Sequence, residues 1–137
     1  VATCCMLVAG CSAETVVVAD KGASYDSSSV TSAADDSVPD PPTLGRPVAE
    51  AEELRHEALV ELRAHSELGT EAADLLTDQF PAEARSVPYY VEAATFEGDD
   101  ALIVFEVWGS DGGELDRIRV WVFQRGTERV LYTAAVS

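Results

Sequence analysis

The chain reads as an α+β protein, with an N-terminal helix or helix pair packed on one face of a four-stranded antiparallel meander. Three observations carry this expectation. Residues 48–66 contain no glycine or proline and repeat their apolar side chains at helical spacing. Residues 87–136 fall instead into four runs rich in β-branched and aromatic residues. Every gap between those runs holds glycine. A helical stretch followed by consecutive strands marks the α+β class, not the alternating order of a parallel sheet.

The first helix is expected from Val48 to Ser66, where strong helix formers dominate. Ala51, Leu54, Ala58, Leu62 and His65 share one face at i, i+3, i+4 spacing. Pro47 stands just before the start, where a missing amide costs least. Glu50, Glu52 and Glu53 suit the positive end of the helix dipole. Gly69 is expected to stop this helix, and Thr70 to cap a shorter one over 71–80 that Pro81 closes. Leu68, Ala72, Leu75, Leu76 and Phe80 are its expected buried residues.

Strands are expected at 87–97, 101–108, 115–124 and 129–136. Gly126-Thr127 reads as a two-residue type II′ turn, glycine first. That register sets Arg125 opposite Glu128, Phe123 opposite Val130 and Trp121 opposite Tyr132. In the preceding hairpin Trp108 is set opposite Leu115, Glu106 opposite Arg117 and Val104 opposite Arg119. One face then holds Ala101, Ile103, Phe105, Val107, Ile118, Val120, Val122 and Leu131, and is expected to receive the helices. The pairing of the first strand stays open, because a tight turn at Gly98-Asp99 brings Glu92 onto the packed face. In element order, with a helix across an antiparallel sheet, the domain resembles in outline the cystatin-like and NTF2-like group. That resemblance carries no residue motif.

The opposite face holds Leu102, Val104, Trp108, Leu115, Trp121, Phe123, Val130 and Tyr132, interrupted by Glu106, Arg117 and Arg119. It is more apolar than a solvated sheet face usually is, and it includes both tryptophans. Trp108, Arg117, Arg119, Trp121, Phe123 and Tyr132 are therefore the candidate binding face. Aromatic anchors beside two guanidiniums suit an acidic or peptide ligand on an envelope partner. The competing reading is that these aromatics merely cover the sheet, or that the linker or a second subunit lies on them.

Upstream of the helices the composition changes twice. Residues 1–11 are small and apolar, and residues 12–47 are rich in Ser, Asp, Ala and Pro. The second stretch is expected to be a flexible acidic linker, because it offers little to bury against its conformational entropy. A coil of that length spans roughly 30–36 Å. Val16–Val18 is the one place where an edge strand is an alternative. The domain proper is expected over 48–137.

Leu7-Val8-Ala9-Gly10-Cys11, followed by Ser12, resembles the lipobox of bacterial lipoproteins. The resemblance implies a diacylglyceryl group on the Cys11 sulfur and cleavage before Cys11. No Lys or Arg precedes Cys11, so residues 1–11 are taken as a truncated signal peptide and lipobox. All three cysteines, Cys4, Cys5 and Cys11, lie in this segment. A metal cluster of the three would lack a fourth ligand and zinc-type spacing. The implied location is extracytoplasmic, with the membrane as partner through the lipid on Cys11.

The charge balance narrows the function. Asp and Glu number 25 against 9 Lys and Arg, a formal net charge of −16. This argues against nucleic acid as a partner and against electrostatic docking on anionic lipid. No apolar stretch is long enough to span a bilayer. No nucleophile elbow, zinc-protease helix motif or phosphate loop occurs. His56 and His65 point away from each other on one helix, so they share no metal. The acidic turns around Gly98 and Gly112 read as turn chemistry. The expected function is a lipid-anchored, non-catalytic binding module without cofactor or metal. The alternatives are an NTF2-like pocket for a small ligand between helix and sheet, and an envelope enzyme. Lys21 is the sole lysine beside many arginines, a composition that suggests a GC-rich genome such as an actinobacterium's.

Overall fold

The computed structural model describes residues 15–79, 85–127 and 129–136. Its centre is a five-stranded sheet in the order β1-β2-β3-β4-β5. The strands are β1 (Val17–Tyr25), β2 (Ser86–Phe96), β3 (Asp99–Trp108), β4 (Arg117–Gln124) and β5 (Val130–Val136). The helices are α1 (Ser27–Asp36), α2 (Ala51–His65, entered by a 3₁₀ turn at Val48–Glu50) and α3 (Glu67–Gln79). β2 to β5 form the antiparallel meander. β1 adds a fifth strand, parallel to β2, so the sheet is mixed.

The expected linker over 12–47 is therefore corrected for its described part. Residues 17–25 pair with β2, and residues 27–36 form α1. Mean composition concealed where the few apolar residues fall. Val16, Val30, Ala33 and Val38 are all buried, and Val30 is wholly so. Asp26 caps α1 by accepting the N–H of Ser28 and Ser29, while its own N–H donates to Ser29 Oγ at 2.8 Å. Such a capping box offsets the weak helix propensity of a Ser-rich segment. Residues 1–14, with the lipobox and Cys11, lie outside the described residues, as do Phe80, Pro81 and Glu128.

Three registers decide which side chains share a face. At the β2–β3 hairpin, Glu97 and Gly98 both have positive φ (49° and 91°), and Phe96 pairs with Asp99. This is the backbone a two-residue primed turn needs. The β3–β4 register is shifted by two from expectation, with Trp108 opposite Arg117, Glu106 opposite Arg119 and Val104 opposite Trp121. Leu115 is drawn out of the hairpin, since its N–H donates to Arg46 O and its carbonyl accepts from Gly45 N–H, each at 2.8 Å. A bulge between Val122 and Phe123 then sets Val122 opposite Tyr132, which turns Tyr132 to the other face.

The helix placement is reversed from expectation. α2 and α3 pack on the face of Leu102, Val104 and Glu106, fixed there by Arg55, whose guanidinium bonds Ser86 and lies 3.8 Å from Glu106. The face of Ile103 and Phe105 receives α1 instead. That face is concave. Phe96 of β2 and Tyr132 of β5 stack with centroids 5.7 Å apart, although strands three spacings apart in a flat sheet are separated by about 14 Å. α1 accordingly touches both edge strands, β1 and β5.

Gly69 lies inside α3 and does not stop α2. A Cβ there would stand 2.1 Å from the Leu62 carbonyl oxygen, so glycine is what lets the helix pair approach. Ser66 does the capping expected of Thr70, its Oγ accepting the Gly69 N–H at 3.1 Å. On α2 the buried stripe is Ala51, Arg55, Ala58 and Leu62, while His65 is exposed.

Candidate functional site

β3 carries Glu106 toward the helix pair, where only 2% of it is exposed. Its carboxylate is fully engaged. Ser86 Oγ donates to Oε2 at 2.9 Å, and Trp121 Nε1 donates to Oε1 at 2.7 Å. Two guanidiniums flank it, Arg55 and Arg119, each with a nitrogen at 3.8 Å. Arg55 also donates to the carbonyls of Ser86 (3.0 Å) and Leu76 (3.1 Å), which ties β2 and α3 to the same point. Burial pulls the Arg55 pKa below its ordinary value, and the charge of Glu106 opposes that shift. Two cations around one buried carboxylate leave positive charge to spare on the outer side.

That outer side is built on β3 and β4. The Trp108 ring lies under two guanidinium carbons, Arg117 at 4.9 Å and Arg119 at 4.4 Å from its centroid. Arg119 also reaches the Trp121 ring at 5.8 Å, and Trp121 stacks on Phe123 with centroids 6.1 Å apart. Cation–π contacts of this kind hold long arginine side chains in place, and each guanidinium also has a carboxylate at 3.8 Å, Asp116 for Arg117 and Glu106 for Arg119. Trp108 Nε1 is buried and makes no hydrogen bond among the described residues. The side chain of Arg117 is 53% exposed and that of Arg119 30%.

Four of the six expected face residues thus come together at the surface: Trp108, Arg117, Arg119 and Trp121. Phe123 sits beneath them, fully buried, and supports Trp121 without reaching solvent. Tyr132 lies on the concave face, displaced by the bulge. The residues that orient the cluster, Arg55, Ser86 and Glu106, were not singled out beforehand. A signal existed for Arg55: it sits four residues after Ala51 and three before Ala58, on the stripe that is buried.

A second carboxylate, Glu92, is 1% exposed on the concave face. It accepts hydrogen bonds from the hydroxyls of Tyr25 (3.0 Å) and Tyr90 (2.8 Å), and Lys21 Nζ stands 3.8 Å away. The Tyr25 pKa is pushed up to about 12, first by burial and then by the hydrogen bond and charge of Glu92. Tyr90 is raised for the same reasons. This cluster pins β1 to β2 and satisfies the acid whose placement the sequence left open.

At the far end of the sheet an open cleft of about 630 Å³ is lined by Glu71, Asp74, Asp78, Asp100 and Arg125. Arg125 pairs with Glu71 at 2.8 Å. Among the described residues, no group of three or more His, Cys, Asp or Glu is placed to hold a metal ion, and no helix is long and apolar enough to cross a membrane. Comparison with protein-family models, curated proteins and solved structures returned no match.

Proposed function

We propose that the chain is an extracytoplasmic lipoprotein, tethered to the cell membrane by a lipid on Cys11, whose folded part is a non-catalytic binding module for an envelope protein or peptide. The anchoring half rests on Leu7-Val8-Ala9-Gly10-Cys11. Acyl chains contribute about 0.8 kcal/mol per buried methylene, and a doubly acylated cysteine anchors stably without any basic patch. That mode of attachment suits a chain of net charge −16.

The binding half rests on one observation. Arg117 and Arg119 are held over Trp108, with Arg117 more than half exposed, on a base fixed from behind by Glu106 and Arg55. A pre-ordered pair of guanidiniums beside an aromatic ring suits a carboxylate-bearing peptide, since little side-chain entropy remains to be lost on binding. A small-ligand pocket of the NTF2-like kind finds little room, because α1 packs Val30 and Ala33 into the concave face. An enzyme would need acid–base groups open to a substrate, whereas Glu92 and Glu106 are buried and already bonded.

Mass spectrometry of the mature N-terminus from the native host tests the anchor. A mass matching acylated Cys11 is expected, and an unmodified, uncleaved N-terminus refutes it. Crosslinking and affinity capture from the envelope, with Arg117→Ser/Arg119→Ser beside the wild type, test the module. Loss of a specific partner is expected, and an unchanged set of partners refutes the assigned face.

A further inference from the structure

We infer that the end of the sheet carrying Leu44, Arg85, Trp108 and Arg117 rests against the lipid surface, so that the domain sits on the membrane and not on a stalk above it. The inference rests on Cys11 as the anchor and competes with the peptide face for Trp108 and Arg117, which a lipid contact would cover. It starts from the direction of β1. This strand runs parallel to β2, from Val17 beside Tyr90 to Tyr25 beside Phe96. The chain therefore joins the sheet beside Tyr90 and comes to it from the Ser86 side, where Ser86 pairs with Trp108 and Trp108 with Arg117.

The entry point is clamped. The carboxylate of Glu61 on α2 accepts the N–H of Thr15 and of Val16, each at 2.9 Å, and the Thr15 hydroxyl at 2.7 Å. Only Ser12, Ala13 and Glu14 separate Thr15 from Cys11. Four residue steps reach at most about 14 Å even when fully extended. A lipid on Cys11 would then lie within that distance of the folded domain.

The two ends of the sheet differ in what they present. At the entry end, Leu44 is 51% exposed in a turn held to the β3–β4 loop by the Gly45–Leu115 hydrogen bond. The side chains of Arg85 and Arg117 are 61% and 53% exposed there, each paired with an acid, Asp111 and Asp116. Half-buried tryptophan and long arginine stems suit the headgroup layer of a bilayer. The opposite end gathers Glu97, Asp99 and Asp100 in its turn and the acids of the cleft, where Arg125 pairs with Glu71 and Arg63 with Asp74, and Arg129 closes the adjoining turn. Net charge disfavours attraction of the whole molecule, so the point at which the tether leaves the fold decides which end faces the lipid.

The two tryptophans make the orientation measurable. The full chain carrying Cys4→Ser and Cys5→Ser is coupled through Cys11 to a maleimide lipid in vesicles of phosphatidylcholine and phosphatidylglycerol. Spin-labelled phosphatidylcholine headgroups serve as quencher. Tryptophan emission is expected to fall by about half on coupling, and a long Gly/Ser insertion between Ser12 and Ala13 is expected to restore most of it. Replacing the exposed Leu44 by Glu, together with Arg117→Glu, is expected to weaken the quenching in a folded protein, as circular dichroism will verify. Emission no lower than that of uncoupled protein mixed with the same vesicles overturns the inference, as does full quenching in the double variant. Chemical coupling supplies the anchor whatever the cell does, so this result stands apart from the mass measurement on which the lipoprotein reading depends.

Discussion

Arg55 is the residue on which the helix pair and the sheet depend together, and Arg55→Met isolates its part. Methionine keeps much of the buried volume, so little cavity is opened. What goes is the donor to two carbonyls, Ser86 O and Leu76 O, and one of the two cations near Glu106. Each bond from the charged guanidinium to a carbonyl is worth about 1.5–3 kcal/mol. Breaking a buried ion pair by removing one partner costs about 3–5 kcal/mol in all, mostly from the charge left behind. Arg119 is already partly solvated and is engaged with Trp108 and Trp121, so it compensates only in part. A loss of about 3–5 kcal/mol is therefore expected, against about 5–15 kcal/mol for a typical domain. In a chain of this size it lowers Tm by about 10–15 °C. The second arm is the double variant Arg55→Met/Glu106→Gln. Glutamine still accepts from Trp121 and still meets Ser86, and no buried charge is stranded. The double variant should thus regain about 1–3 kcal/mol over Arg55→Met, a coupling within the range of directly contacting residues. Urea unfolding followed by tryptophan fluorescence and circular dichroism measures both. A loss under about 1 kcal/mol for Arg55→Met, or strict additivity in the cycle, would refute the claim that this pair locks the layers.

Gly69→Ala should force α2 and α3 apart, because the new methyl meets backbone and not a yielding side chain, and should cost about 1–3 kcal/mol in urea unfolding; wild-type stability would show that the close approach is not required. Tyr25 should confer alkaline sensitivity. Its folded pKa of about 12 lies above the ordinary 10, so its contribution is complete below pH 10 and fades as pH rises through 12. Absorbance titration should find three of the four tyrosines, Tyr25, Tyr89 and Tyr90, ionising late in the native protein, and simultaneous titration near pH 10 would contradict the buried geometry. Asp26→Ala should remove the acceptor for two amides at the start of α1, and hydrogen exchange there should quicken while the β3–β4 core stays protected.

The meander, the helix pair and the α+β class were legible because each rests on local periodicity. Four runs of alternating residues and one helical stripe are read within a dozen positions. What escaped depends on distant partners. Leu115 looked like a strand residue until residues 45–46 captured both its backbone groups, and the β3–β4 register moved by two. Tyr132 looked like part of the aromatic face until a one-residue bulge rotated it away. The choice of face for the helices was illegible for a related reason: both faces of β3 are apolar, and the tie-breaker is a buried Arg55–Glu106 pair that no local pattern announces. α1 was hidden by averaging and β1 was legible only as the edge-strand alternative at Val16–Val18, since a few well-placed valines suffice once a neighbouring strand supplies the hydrogen bonds.

Those errors share a consequence for how the molecule is organised. A stalk would have separated anchor from fold, so that nothing at the membrane could bear on the sheet. Instead the segment after Ser12–Glu14 is built into the structure through two buried or half-buried acids. Glu61 grips its first residues from α2, and Glu92 grips Tyr25 at the far end of β1. The two contacts lie at opposite ends of one edge strand, on a parallel pairing that is already irregular between Asp20 and Ser24. β1 is therefore an edge strand held at both ends by side chains, and it is also the strand that a lipid on Cys11, if present, would pull on. Glu61→Ala separates the two ends. It should loosen the entry point while leaving the Glu92 contacts intact, so hydrogen exchange should rise at Val16–Ala19 and not at Ser24–Tyr25. A uniform rise along β1 would instead mean that the strand opens as a unit, with no independent clamp at its start.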